Sequence, residues 1–202
     1  TKVKSVATKG EMEHHNGIPE AVELSRGCDA VMVCVGTDRR VEHEARDRKS
    51  LGLTGCQEEL VKAVLAANAR TFVVEMSAGP LTVPWIKENV PAILQAWWAG
   101  EEGGHALADV LFGDVNSAGR LPHTVYASEA QVPPLNEYDI SKGFTYMYVN
   151  GPALFPFGHG LSYTPFAYTG LKLSKTKIQA DGAVEVSVEV ANMGTLAGDE
   201  VV

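Results

Sequence analysis

The stretch DAVMVCVG, residues 29–36, is apolar at successive positions and closes on glycine. A run of this kind, in place of strict alternation, predicts a strand covered on both faces, as in a parallel sheet. TFVVEM at residues 71–76 and AILQAWW at residues 92–98 repeat the pattern, with helical segments at residues 19–25, 57–68 and 105–112. In the middle segment Leu60, Val61, Val64 and Leu65 fall at helical spacing, and Glu58 and Glu59 occupy a first turn where the helix dipole favours negative charge. Strand alternating with helix predicts an α/β domain, a three-layer α/β/α sandwich with a mostly parallel sheet.

Ligands of an open parallel sheet bind beyond the carboxyl ends of its strands. The segments that follow the three strands, residues 36–53, 77–80 and 99–104, are therefore expected to share one rim. Outward from this core the composition changes. Residues 120–164 are rich in proline, glycine and aromatics without a clear period, and six aromatics between Phe144 and Tyr163 predict a loop-rich wrap that packs on something. Beyond Pro165, AVEVSVEVAN at residues 183–192 puts Val184, Val186, Val188 and Val190 on one face and Glu185 and Glu189 on the other. That alternation predicts a half-buried strand of a β-sandwich. The expected organisation is an α/β domain over residues 1–125, a wrap over 126–164, and the first part of a β domain over 165–202. The closing GDEVV reads as a strand begun without its partner, so the β domain is expected to be incomplete and the chain an excerpt.

Composition limits the function classes. The 202 residues are 45% hydrophobic with a net charge of −8, and lysines and arginines do not cluster as binding to nucleic acid or an anionic membrane would require. No apolar run approaches a membrane span, and TKVKSVATKG lacks the apolar stretch of a signal peptide. Neither nucleic acid nor membrane is an expected partner, whereas a neutral or cationic small molecule is. The compartment stays open, since an export signal would lie upstream of Thr1. Cys28, Cys34 and Cys56 are odd in number and have no C-x-x-C spacing, so buried free thiols are expected, not a metal site or a disulfide.

The chemistry concentrates in VGTDRRVEHEARDRKSLGLTG, residues 35–55, with seven ionisable side chains from Glu42 to Lys49. A charge run is by default a solvated face. This one, however, follows directly on a buried strand, where α/β scaffolds mount catalytic groups. Glu42 and Glu44, two residues apart, are the acid/base candidates. No G-x-G-x-x-G follows the first strand and no P-loop lysine is present, which argues against a nucleotide site. A non-catalytic carbohydrate-binding or interaction module on the same scaffold is the competing reading.

E-x-E-x-x-D-R followed by leucine and Q-x-x-L (Glu42, Glu44, Asp47, Arg48, Leu51, Gln57, Leu60) resembles the acid/base loop of family 3 glycoside hydrolases. AWWAGEEGGHALADVLFGDVNSAGRLPHT at residues 96–124 and LFPFGHGLSYTPFAY at residues 154–168 resemble further motifs of that family. NMGTLAGDEVV, residues 192–202, resembles its appended fibronectin type III-like domain. The resemblance implies a retaining exo-acting β-glucosidase or β-xylosidase acting on oligosaccharides or glycosides. Its acid/base glutamate lies on this chain and its nucleophilic aspartate on an N-terminal (β/α)8 barrel absent from these residues. The family's acid/base stands three residues before the D-R pair, which favours Glu44 with Glu42 second. Asp47 and Arg48 are expected to shape the loop beside the substrate, and Trp98 to offer a ring on which a sugar stacks. No metal or organic cofactor is implied, because proton transfer with covalent catalysis suffices. The chain departs from the family's pattern at Ala45, where many relatives have glycine, and at Thr54, where proline is usual.

Overall fold

The computed structural model describes residues 17–202, and its chain divides into two compact units, each drawn from two stretches of sequence. The first comprises residues 17–103 with Pro122–Phe157, and the second Gly104–Leu121 with Gly158–Val202.

The first unit opens with α1 (Ile18–Arg26), β1 (Val31–Gly36), α2 (Gln57–Ala67) and β2 (Thr71–Met76), followed by α3 (Pro84–Asn89) and β3 (Ile93–Gln95). The three strands form one parallel sheet in the order β1-β2-β3, with Val31 opposite Thr71 and Val73 opposite Ile93. Helix α2 packs on β1, β2 and α1 and sinks Val61 and Val64 into the core beside Val33, Val35, Val73 and Val74. The amide of Asn68 donates to the carbonyls of Ser25 and Cys28, 2.9 Å each, which fastens the end of α1 to the end of α2.

Burial on both faces holds for the central strand β2, where Val73 and Val74 are both 0% exposed. It fails for β1. That strand lies at the edge of the described sheet, with Val33 and Val35 buried but Met32 and Cys34 exposed. The three cysteines are not buried as expected: Cys34 is exposed and Cys28 and Cys56 are intermediate. Strand β3 is also shorter than the apolar run. It ends at Gln95 because Trp97 has φ +54°, which takes the chain out of the extended region. Helix α3 was not foreseen; Pro84 opens it, and six residues are too few to display a helical period.

Pro122–Phe157 returns to this unit with β4 (Val125–Tyr126), two single turns of 3₁₀ helix, α5 (Thr145–Tyr148) and β5 (Ala153–Phe155). Strands β4 and β5 pair antiparallel, Val125 and Leu154 are buried, and Thr82 Oγ1 donates to the Tyr126 carbonyl at 3.0 Å. Lys87 Nζ donates to the Leu154 carbonyl.

In the second unit, α4 (Gly103–Phe112, all but its first residue) precedes the hairpin of β6 (Phe166–Leu173) and β7 (Val186–Asn192), whose register slips between Thr169 and Lys172. A largely buried ion pair joins Arg120 Nη2 to Glu200 Oε2 at 2.6 Å, and Tyr168 Oη donates to the other oxygen of Glu200 at 2.7 Å. Of the β7 valines only Val188 is half-buried, whereas their alternation predicts it for all of them. Val186 is 58% exposed and Val190 39%, because among the described residues no second sheet lies over the hairpin.

Candidate active site

The loop from Thr37 to Cys56 leaves the carboxyl end of β1, and the sequence ties it down at several points. At its root, Gly36 has φ +147°, and a Cβ there would lie 1.9 Å from the Met76 carbonyl oxygen. Only glycine lets β1 and β2 approach so closely at the rim. Gln57, the first residue of α2, holds both ends of the loop. Its Oε1 accepts from the Gly36 N–H at 2.6 Å, and its Nε2 donates to the carbonyls of Gly36 (2.9 Å) and Thr54 (3.1 Å). The Thr54 hydroxyl joins at 3.2 Å.

The loop's first turn is closed by Asp38. Its carboxylate accepts from the Arg40 backbone and side chain, and its carbonyl accepts from the N–H groups of Val41 and Glu42. The Arg40 guanidinium holds the Asp38 carboxyl below the ordinary aspartate range. At the far end Glu129 accepts from Ser50 Oγ at 2.5 Å and from the Leu51 N–H at 2.9 Å, and Thr82 N–H donates to the Leu51 carbonyl at 2.8 Å. The serine hydroxyl, and then the Leu51 amide, lower the pKa of Glu129.

Between these anchors stands a miniature hairpin. His43 and Arg46 exchange backbone hydrogen bonds at 3.0 and 2.9 Å, so Glu44 and Ala45 form its two-residue turn. Ala45 has φ +66°, the left-handed conformation that such a turn demands and that glycine adopts without strain. The Glu44 side chain is exposed at the tip, and the His43 ring nitrogen Nδ1 lies 2.6 Å from the Glu44 carbonyl.

The other candidate, Glu42, is placed quite differently. Its side chain is 13% exposed and that of Arg48 9%, with Arg48 Nε 3.0 Å from Glu42 Oε2. Oε1 accepts from the Thr37 hydroxyl and from the Ala78 N–H at 3.2 Å. Arg48 Nη2 donates to the Pro80 carbonyl at 2.9 Å, while its Nη1 is buried without a partner. A Cβ on Gly79 would stand 3.0 Å from Nη2, so the segment after β2 is shaped to admit the guanidinium. The loops after β1 and β2 thus meet at one rim. Asp47 is exposed on the hairpin's second arm.

The third segment reaches this rim through Trp98, whose Nε1 donates to the Thr37 carbonyl at 3.0 Å. Trp98, 43% exposed as a residue, borders a cleft of about 540 Å³ lined also by Cys34, Thr37, Asp38, Gln57 and Met76. Trp97 turns away to meet His123 edge to face, centroids 5.4 Å apart.

Sequence reasoning missed Thr37 and Glu129, which sit far from their partners in an order no local pattern encodes. It also missed Glu75, which is 3% exposed on β2 with Oε1 unpartnered and is raised to about 7 by burial. An acid inside the apolar run TFVVEM was the available signal.

Residues 2–163 match the glycosyl hydrolase family 3 C-terminal domain. A β-xylosidase of Formosa agariphila is 42% identical over 92% of this chain and 26% of its own length. A β-glucosidase of Rhizobium radiobacter is 40% identical over 92% of this chain and 24% of its own. The solved structure of a β-glucosidase from Erythrobacter marinus covers 88% of this chain and 24% of its own at 38% identity, with a TM-score of 0.77. The chain spans about a quarter of the length of the curated relatives it matches.

Proposed function

The chain belongs to glycoside hydrolase family 3, and from that membership we propose that it is the acid/base-bearing C-terminal part of a retaining, exo-acting β-glycosidase. The enzyme removes terminal β-linked glucose or xylose from oligosaccharides or glycosides, activities named for relatives on both sides. On this reading the α/β unit is the inner part of a three-layer sandwich, and residues 165–202 begin a fibronectin type III-like domain.

Glu44 is the acid/base. The observation that carries this assignment is the contrast between the two glutamates. Glu42 has both oxygens engaged by Thr37, Ala78 and Arg48, whereas Glu44 projects from a turn whose two ends are fixed. A proton donor must reach the glycosidic oxygen and then, as a base, the attacking water, so it has to be presented and not consumed in packing. An aspartate of the (β/α)8 barrel, its carboxyl group about 5–5.5 Å from that of Glu44, attacks the anomeric carbon while Glu44 protonates the leaving oxygen, and a covalent glycosyl-enzyme forms. Water activated by Glu44 then releases the sugar. Trp98 stacks on the substrate, Asp47 lines the approach to it, and Arg48 acts from below. Its charge is paired with Glu42.

In the full-length enzyme, Glu44→Ala is expected to lose hydrolysis of unactivated glycosides by about 10²–10⁴-fold and to recover turnover of an aryl glycoside with azide, yielding the β-glycosyl azide. Recovery in Glu42→Ala and not in Glu44→Ala would reverse the assignment.

A further inference from the structure

We propose that Thr37, Glu42 and Arg48 are positioning residues that aim Glu44, and that Thr37 ties this clamp to Trp98, so that one strut sets both the proton donor and the sugar-facing ring. The proposal rests on the assignment of Glu44 above.

The hairpin is too short to hold its own tip. Its arms share a single pair of backbone hydrogen bonds, between His43 and Arg46, so the direction in which Glu44 leaves the surface is decided by whatever fixes the residues below. Those residues are Glu42 on one arm and Arg48 at the end of the other. They are joined at 3.0 Å and withdrawn from water, at 13% and 9% exposure. Each also grips the loop after β2, at different points: Glu42 takes the Ala78 N–H and Arg48 gives to the Pro80 carbonyl. The hairpin base is therefore fastened to the segment after β2 on both sides.

Thr37 sits at the junction. Its N–H donates to the Met76 carbonyl at 2.9 Å, its hydroxyl to Glu42, and its carbonyl accepts from Trp98 Nε1 at 3.0 Å. A continuous line runs from the Trp98 indole through one residue and one carboxylate to Arg48. A displacement of about 1 Å at a reacting group costs roughly 10²-fold in rate, so loosening this line should slow the chemical step with little effect on substrate affinity.

The test is made in the full-length enzyme, with kcat expressed per site titrated by a covalent mechanism-based inhibitor, so that unfolded protein is not counted. Thr37→Val, Glu42→Gln and Arg48→Met are each expected to lower kcat about 10–100-fold with KM changed less than about threefold. The shape of the pH–rate profile should be retained and azide should give no recovery. The double variant Glu42→Gln/Arg48→Met should fall no further than the worse single one, since either change opens the same clamp. Thr37→Val combined with Trp98→Phe should likewise be non-additive. Thr37→Val removes one hydroxyl at nearly constant shape, so it reports even where the charge variants fail to fold. Wild-type kcat per titrated site in Thr37→Val and Glu42→Gln, with Glu44→Ala inactive and azide-rescued, overturns the clamp and leaves the acid/base assignment standing. Full activity of Glu44→Ala overturns that assignment itself.

Discussion

Glu75 lies on β2 between Val35 of β1 and Gln95 of β3, with only 3% of its surface exposed and Oε1 without a hydrogen-bond partner. Removal from water disfavours the ionised form and raises its pKa from 4.5 to about 7. Between those two values the native state keeps a proton that the unfolded state releases, so stability falls as pH rises across that window and levels off above it. The full decline is on the order of 3 kcal/mol. Urea unfolding at pH 5, 6, 7 and 8 should show this slope in the wild type and lose it in Glu75→Gln; an equal slope in both would place the buried proton elsewhere. The acid is plain in TFVVEM, but its burial is not, because that depends on two flanking strands set by the register of distant residues. For the same reason Glu42 and Glu44 look alike in the sequence. What separates them is a guanidinium and a threonine hydroxyl brought in from either side.

The hairpin at residues 43–46 illustrates how an element can be legible through a departure. The resemblance to family 3 hydrolases placed alanine where glycine is common, and the backbone accounts for that preference, since Ala45 is held at φ +66°. A left-handed non-glycine residue costs about 1–2 kcal/mol, and glycine's extra freedom in the unfolded chain offsets part of the relief. Ala45→Gly is therefore expected to stabilise the chain by about 0.5–1 kcal/mol, read as a higher urea midpoint at unchanged slope. A lower midpoint would show that the stiffness of alanine outweighs its strain. Among the larger elements, α2 and β2 follow their periodicity closely, and β1 ends at the expected glycine. The misjudged ones depend on context. β3 is cut short by the backbone of Trp97, α3 is too brief to show a period, and β7 alternates faithfully while Val186 and Val190 stay exposed. Periodicity reports which face would be apolar, but it does not report what covers that face.

At the scale of the whole molecule, the division of labour proposed for the catalytic carboxylates makes the isolated 202 residues half a machine. Incubated with 4-nitrophenyl β-glucoside or β-xyloside, the chain alone is expected to give no turnover above buffer, and the full-length enzyme to hydrolyse at least one of the two. Release of nitrophenol by the short chain would put both carboxylates within it. The ordered motifs made the family legible from sequence, whereas the threading of the chain between its units did not show, because no local pattern marks where a polypeptide leaves one unit and later comes back. That threading has a consequence for synthesis. The first unit takes Glu129, Tyr126 and Leu154 from its second stretch, so a ribosome that has released the loop bearing Glu44 must add roughly eighty more residues before Ser50 and Leu51 meet the carboxylate that fastens them. Until then the far end of the loop that bears Glu44 lacks one of its anchors.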